Sequence, residues 1–204
     1  MSTIDFYFDF SSPYGFVAAM QIDAVAARTG RAVRWRPFLL GAIYRKVGQS
    51  PLEHPLKPGY VTEIDVPRLG RRLGLAIRVP ADFPAHSLPA ARAFYWIEAT
   101  APEKAPDFAR AAYRRYWLDG KGTSDEEVAL DVAVALGFDR DRVVQGLRDP
   151  SPKARLVDES EQAIARGVFG SPFLIVDDEP FWGSDRLDYI GAPEGTKPFH
   201  RPIS

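Results

Sequence analysis

Ile4-Asp5-Phe6-Tyr7-Phe8-Asp9-Phe10-Ser11-Ser12-Pro13-Tyr14-Gly15-Phe16 is the stretch on which the reading of this chain turns. Residues 4–10 form an aromatic-rich run that reads as a short strand. The run stops at Ser11-Ser12-Pro13-Tyr14-Gly15 and passes into a helical stretch, 16–27. Its apolar positions Phe16, Ala19, Met20, Ala24 and Ala27 follow helical spacing. Ser12 stands at the turn with Pro13 at the first helical position, which proline favours. Taken alone, Ser12 is an N-cap serine that satisfies a free backbone N–H. Thr29-Gly30 stops the helix, and residues 32–38 alternate as a second strand. A strand–helix–strand unit of this size predicts a parallel pair, with the C-terminal end of the first strand facing a potential site.

Further along, the pattern changes. Residues 48–60 hold three prolines and two glycines and read as an irregular loop. Helical periodicity then covers 62–73, which carries Arg68, Arg71 and Arg72 and ends at Gly74, and afterwards 87–100, 107–118, 124–136, 139–147 and 153–166. Ser124 with Glu127 three residues on is a capping-box signature. Strand character returns at 171–177, followed by a turn at Asp178-Glu179 and Pro180-Phe181-Trp182. Gly183-Ser184-Asp185-Arg186 opens a final short helix, 187–190, and the Pro- and Gly-rich tail from Gly191 is expected to be poorly ordered.

Composition bounds the function. The 204 residues carry 26 Lys and Arg against 27 Asp and Glu, a formal charge of -1. That balance argues against a nucleic-acid partner, because phosphate binding shows as a basic surplus. A hydrophobic fraction of 46% suffices for a packed core. There is no cysteine, which excludes disulfides and thiolate metal ligands. His54, His86 and His200 show no ligand spacing, so no metal site is expected. No basic, apolar leader opens the chain and no run nears the roughly 18 apolar residues of a membrane span. The expected location is the cytoplasm, with no membrane partner.

Strands at both ends with helices between are the plan of thioredoxin-like proteins that carry an inserted helical domain. The expected fold class is therefore α/β: residues 1–40 and 167–204 form a discontinuous thioredoxin-like domain, and 41–166 a large all-helical insertion between a βαβ and a ββα half. Thioredoxin-type folds carry Cys-Pro-x-Cys where this chain has Ser12-Pro13-Tyr14-Gly15, and a cis-proline where it has Ser171-Pro172. With no cysteine of its own, an active site here needs sulfur from outside, and glutathione is the candidate. A free thiol titrates near about 8.5 and only its thiolate is nucleophilic. A helix start and the Ser12 hydroxyl both favour an anion there. Lowering a thiol pKa by one unit takes about 1.4 kcal/mol of preference for the anion. Ser12 has no G-x-S-x-G context and no evident histidine base, so a Ser-His-Asp reading is the weaker one. Ser184-Asp185 reads either as a plain helix cap or as a grip on an amino-acid end such as a γ-glutamyl group.

Four motifs together resemble the 2-hydroxychromene-2-carboxylate isomerases, which group with kappa-class glutathione transferases among DsbA-like thioredoxin folds. They are residues 6–14, 36–41, 167–172 and 181–187, in that order. The resemblance implies a glutathione-dependent cis–trans isomerase of bacterial aromatic breakdown, the naphthalene route among them. It would convert 2-hydroxychromene-2-carboxylate to trans-o-hydroxybenzylidenepyruvate through a transient thiol adduct. It implies Ser12 as the catalytic serine beside the glutathione sulfur, and Ser171, before Pro172, as the backbone partner of the glutathione peptide. Ser184 and Asp185 fall at the γ-glutamyl end, and Gln49 where kappa transferases place an asparagine. His86 stands where the family usually carries asparagine; it is a substrate contact or a solvent-facing loop residue. Arg45, Lys46 and Lys57 flank the pocket loop, and Arg45 and Lys57 are candidates for holding a carboxylate of a small aromatic substrate. Family members pair as homodimers, which is the expectation here. Two other readings stay open: a kappa-type transferase or peroxidase that consumes glutathione, and a non-catalytic thioredoxin-like binding module.

Overall fold

A computed structural model describes residues 2–48 and 57–191; Gln49, His54, His200 and the tail beyond Gly191 lie outside the described residues. Four strands, β1 (Thr3–Phe8), β2 (Ala32–Pro37), β3 (Phe173–Val176) and β4 (Glu179–Trp182), form one sheet in the order β2-β1-β3-β4. β1 and β2 run parallel, from Thr3 opposite Ala32 to Phe8 opposite Pro37, as the strand–helix–strand reading requires. β3 is antiparallel to β1, and β4 to β3. The central strand β1 is buried almost throughout, which explains its unbroken aromatic run.

Side chains alternate across the sheet. Ile4, Phe6 and Phe8 enter the larger core, where the Trp35 ring meets Phe6 and Phe8 edge-on at 5.1 and 5.6 Å. Tyr7 enters a smaller core on the other face with Phe38, Phe173 and Ile175. Helices α1 (Pro13–Ala19), α2 (Ile22–Thr29), α3 (Leu40–Val47) and a turn α4 (Lys57–Gly59) lead to a π-helical segment, Tyr60–Asp65, and to α5 (Val66–Leu73). There follow α6 (Leu88–Thr100), α7 (Ala105–Trp117), α8 (Glu126–Ala135), α9 (Arg140–Arg148) and α10 (Pro150–Ala165). The larger core is continuous from the sheet into α6–α9: Phe8 packs on Phe94 and Tyr113, and Phe10 on Phe108 and Tyr116.

Several elements differ from expectation for local reasons. The single helix 16–27 is two helices, because Gln21, at φ -120°, leaves the helical path while its side-chain amide donates to the Val17 carbonyl at 2.9 Å. The expected stripe fails beyond the break: Phe16 and Ala19 are buried, but Ala24 and Ala27 are exposed, and α2 buries Ile22 and Val25 instead. The helix expected at 62–73 starts earlier and in wider π winding. Pro67 has no N–H to donate to the preceding turn, and the π segment lies just ahead of it. The cap of α8 is Asp125, which accepts from Glu127 N–H, whereas the Ser124 hydroxyl donates to Asp82 at 3.1 Å. The hairpin turn falls on Asp177 and Asp178, at φ +49° and +66°, a conformation that Asp tolerates better than bulkier residues. The closing helix is a 3-10 segment, Ser184–Tyr189.

The second face of the sheet holds buried charge. The Arg36 guanidinium bridges Asp5 at 2.9 Å and the fully buried Glu159 of α10 at 2.7 Å, and Arg166 donates to Asp5 and to the Tyr7 hydroxyl, each at 2.7 Å. Arg155 Nη2 lies 2.8 Å from the other Glu159 oxygen, close enough for an ion pair but not aligned as a hydrogen bond. Burial alone would raise the Asp5 carboxyl, but the hydrogen bonds from Arg166 and Arg36 hold it below the usual range. These pairs fix α10 across β1 and β2.

Candidate functional site: the serine turn and the proline loop

At the C-terminal end of β1 the chain leaves the sheet at Asp9 and enters α1 through Ser12. Ser12 is the N-cap: Gly15 N–H donates to its Oγ at 3.0 Å, and its backbone is extended. Its hydroxyl also donates, at 2.8 Å, to the backbone carbonyl of Ser171. That one bond joins the two motifs, separated by 159 residues, on which the sequence reading rested. The Ser171–Pro172 peptide is cis. The Ser171 hydroxyl accepts from Asp9 N–H at 2.9 Å, while its own backbone N–H meets no acceptor among the described residues. Gly183 N–H donates to the Pro172 carbonyl at 3.1 Å, which seats Ser184 and Asp185 beside the proline loop. Asp185 is exposed and faces Arg186 Nη1 at 2.8 Å. The structure therefore gathers Ser12, Ser171, Pro172, Ser184 and Asp185 at one end of the sheet.

Other candidates lie less centrally. His86 is exposed, and its carbonyl accepts from the Thr123 hydroxyl at 3.1 Å. Arg45 on α3 and Lys57 in α4 are exposed, and no hydrogen bond or ion pair joins either to another described residue. Gln49 falls outside the described residues. A groove of about 410 Å³ opens elsewhere, between α6 and the start of α10, lined by Tyr95, Trp96, Glu98 and Arg155; no candidate site residue borders it. Among the described residues no group of three or more histidine or carboxylate side chains could hold a metal ion, and no helix is long and apolar enough to cross a membrane.

Sequence reasoning missed two residues of this site. Asp9 is only 4% exposed, and its carboxylate accepts four hydrogen bonds. Three reach Oδ1, from Ser11 N–H at 2.9 Å, the Ser11 hydroxyl at 2.8 Å and the Ser87 hydroxyl at 2.6 Å. The fourth reaches Oδ2 from Leu40 N–H at 2.7 Å. One side chain thus ties the serine turn to the starts of α3 and α6. The signal was present: a charged residue inside an apolar run must find partners if buried.

Gly15 is the second missed residue. It occupies the second cysteine position of the usual motif, and a Cβ there would lie 2.5 Å from the Tyr113 hydroxyl and 2.9 Å from Ser171 Oγ. Tyr113 is fully buried and donates to the Asp9 carbonyl at 2.9 Å. Trp117 Nε1 donates to the Phe10 carbonyl at 3.2 Å, and the Tyr95 hydroxyl to that of Pro37 at 2.6 Å. The helical segment therefore anchors the strand ends that carry the site. A dithiol centre is excluded here by packing as well as by composition, since the space for a second sulfur is filled.

Comparison with known proteins agrees with this fold. The family model of the DSBA-like thioredoxin domain matches residues 3–191. A 2-hydroxychromene-2-carboxylate isomerase of Sphingobium xenophagum is 32% identical over 190 residues, which cover 92% of this chain and 95% of that protein. A solved 2-hydroxychromene-2-carboxylate isomerase structure superposes with a TM-score of 0.82 at 27% identity, over 92% of this chain and 91% of that one. The glutathione S-transferase kappa 1 of Caenorhabditis elegans is more distant, 23% identical over 199 residues, covering 92% of this chain and 88% of that protein.

Proposed function

The chain belongs to the DSBA-like thioredoxin domain family and to its 2-hydroxychromene-2-carboxylate isomerase group, and from that membership we propose that it is a glutathione-dependent cis–trans isomerase. The proposed substrate is 2-hydroxychromene-2-carboxylate or a related ring-opened intermediate of aromatic breakdown, with trans-o-hydroxybenzylidenepyruvate as the corresponding product. The observation that carries the reading is the Ser12 hydroxyl hydrogen-bonded to the carbonyl before the cis-proline, in a chain with no sulfur nucleophile of its own.

The residues fit glutathione. The unpartnered Ser171 N–H and its carbonyl offer a donor and an acceptor to a peptide backbone. The Ser184 hydroxyl and the Asp185 carboxylate, the latter exposed, suit the carboxylate and ammonium of a γ-glutamyl end. When bound, glutathione would supply a thiolate that adds to the conjugated double bond of the ring-opened form of the substrate; the resulting single bond rotates, and elimination restores the double bond and the free thiolate.

The chain's own part is to stabilise that thiolate and orient both partners. α1 is only seven residues long, with Pro13 lacking an N–H and Gly15 N–H already bonded to Ser12. Its dipole is correspondingly modest, and the main donor becomes the Ser12 hydroxyl. A hydroxyl carries one proton, so it bonds either the Ser171 carbonyl or an anion. A peptide N–H arriving at that carbonyl frees the hydroxyl to turn toward sulfur. Arg45 and Lys57 are the cations proposed for the substrate's carboxylate, where they also favour negative charge developing on the adjacent carbonyl.

The test is turnover of the ring-opened substrate with glutathione present in small molar amounts, followed by quantifying reduced glutathione. Isomerisation that needs glutathione and leaves it undiminished supports the reading. Turnover at full rate without glutathione refutes it, and stoichiometric loss of glutathione favours the transferase reading.

A further inference from the structure

Asp9 is the buried charge nearest the serine turn. All four of its partners donate, and two of them are backbone N–H groups that can do nothing else; this is the hydrogen-bond pattern of an ionised carboxylate. No Arg, Lys or His among the described residues lies within ion-pair distance of it, in contrast to Asp5 and Glu159. The tyrosines that face it are neutral. Tyr44, on α3, is pushed up to about 12, first by burial and then by the Asp9 charge. Tyr113 and Tyr116, on α7, are raised chiefly by burial. His86, next to Ser87 at the start of α6, is exposed. Asp65, in the π segment, is engaged by the Tyr14 hydroxyl, which donates to it at 2.8 Å. One uncompensated negative charge therefore stands directly behind Ser11 and Ser12.

Resting on the glutathione reading, we propose that the Asp9 carboxylate opposes ionisation of the thiol bound at Ser12 and so keeps its thiolate strongly nucleophilic. The hydroxyl of Ser12 and the Ser171 backbone pull the thiol toward its anion, and Asp9 pulls back. The balance matters because a thiolate loses intrinsic nucleophilicity as its pKa falls, and attack is fastest when that pKa lies near the working pH. A site with donors only would hold a stable, sluggish anion. In general, a unit charge within about 10 Å of a thiol, at an effective dielectric constant of about 20, moves its pKa by about one unit.

A purely structural role for Asp9 predicts the opposite sign. If Asp9 only holds the turn in place, Asp9→Asn loosens Ser12 and makes the bound thiol less acidic. The experiment is calorimetric titration of the full chain with glutathione in two buffers of different ionisation heat, giving protons released against pH and hence the bound thiol pKa. In Asp9→Asn the proposal predicts a fall of about one unit; an unchanged or higher value overturns it. Should Asp9→Asn fail to fold, Asp9→Ser serves, since it also removes the charge while its hydroxyl can still accept from the Ser11 N–H. Its bound thiol is then again more acidic than in the wild type, and an unchanged or less acidic thiol overturns the proposal. Absence of glutathione binding to the wild type refutes the proposed function itself and this inference with it, whereas binding with the wrong sign in the variants refutes the inference alone.

Discussion

Replacing Gly15 with alanine adds one methyl group at the point where α1, α7 and the proline loop meet. On helix propensity alone the change stabilises by about 1 kcal/mol, because glycine is a poor helix former. The packing says otherwise. The new Cβ would lie 2.5 Å from the Tyr113 hydroxyl, 2.9 Å from Ser171 Oγ and 3.2 Å from Ser12 Cβ. Tyr113 is fully buried among Phe8, Phe10 and Phe16 and its hydroxyl is fixed on the Asp9 carbonyl, so it has little room to retreat. Overpacking of this kind costs about 1–3 kcal/mol, and displacing a buried hydroxyl from its acceptor about 1–3 kcal/mol more. After the propensity gain, the net expectation is a loss of about 1–5 kcal/mol, centred near about 3 kcal/mol. Urea unfolding measures it directly. Adding Tyr113→Phe removes the atom in closest contact, so the double variant should recover about 1 kcal/mol relative to additivity. A neutral or stabilised Gly15→Ala protein, or strict additivity with Tyr113→Phe, would refute the claim that this junction is closed by Tyr113.

Three further outcomes follow from the same geometry. Ser12→Ala should lower stability by about 1 kcal/mol through loss of the cap, weaken glutathione binding about tenfold, equivalent to about 1.4 kcal/mol, and make the bound thiol less acidic, all read by calorimetry and urea unfolding. Asp125→Ala should cost about 1 kcal/mol in thermal or urea unfolding while Ser124→Ala costs less than about 0.5 kcal/mol, because Asp125 is the side chain that caps α8. The depressed carboxyl of Asp5 contributes stability that is present above its unfolded value of about 3.9 and is lost as pH falls through its lower folded value. Asp5→Asn should therefore destabilise at neutral pH by about 3 kcal/mol, since it leaves buried arginines short of a partner, and should flatten the pH dependence of unfolding below about pH 4.

The sequence made the strand ends and the two halves of the site readable because each is encoded locally. A proline at the first helical position, a serine before it, and Ser171-Pro172 ahead of an apolar strand carry their meaning in neighbouring residues. What escaped depends on contacts distant in sequence. Asp9 looks like an interruption of a strand until Ser87 and Leu40 are brought to it. Gly15 looks like an ordinary turn glycine until Tyr113 is placed against it. The Ser124 capping box matched its motif, yet the adjacent Asp125 took the cap and Asp82 took the Ser124 hydroxyl, a competition that spacing alone does not decide. The break between α1 and α2 was hidden because Phe16, Ala19, Ala24 and Ala27 fit one helical period in the sequence, although α1 is buried nearly all round and α2 turns Ile22 and Val25 inward. The ion pairs of Asp5, Arg36, Glu159 and Arg166 span three elements and have no sequence period at all.

The proposed isomerase depends on sulfur borrowed from glutathione. Calorimetric titration of the wild-type protein with glutathione from about pH 6 to about pH 9, set against the analogue in which the thiol is replaced by a hydroxyl, tests that dependence. The expected result is saturable binding with proton release that is largest between the bound and free thiol pKa values and fades above about pH 8.5, together with weaker binding and no proton release for the hydroxyl analogue. Absence of binding at millimolar glutathione, or equal binding of the two compounds without proton release, would contradict it.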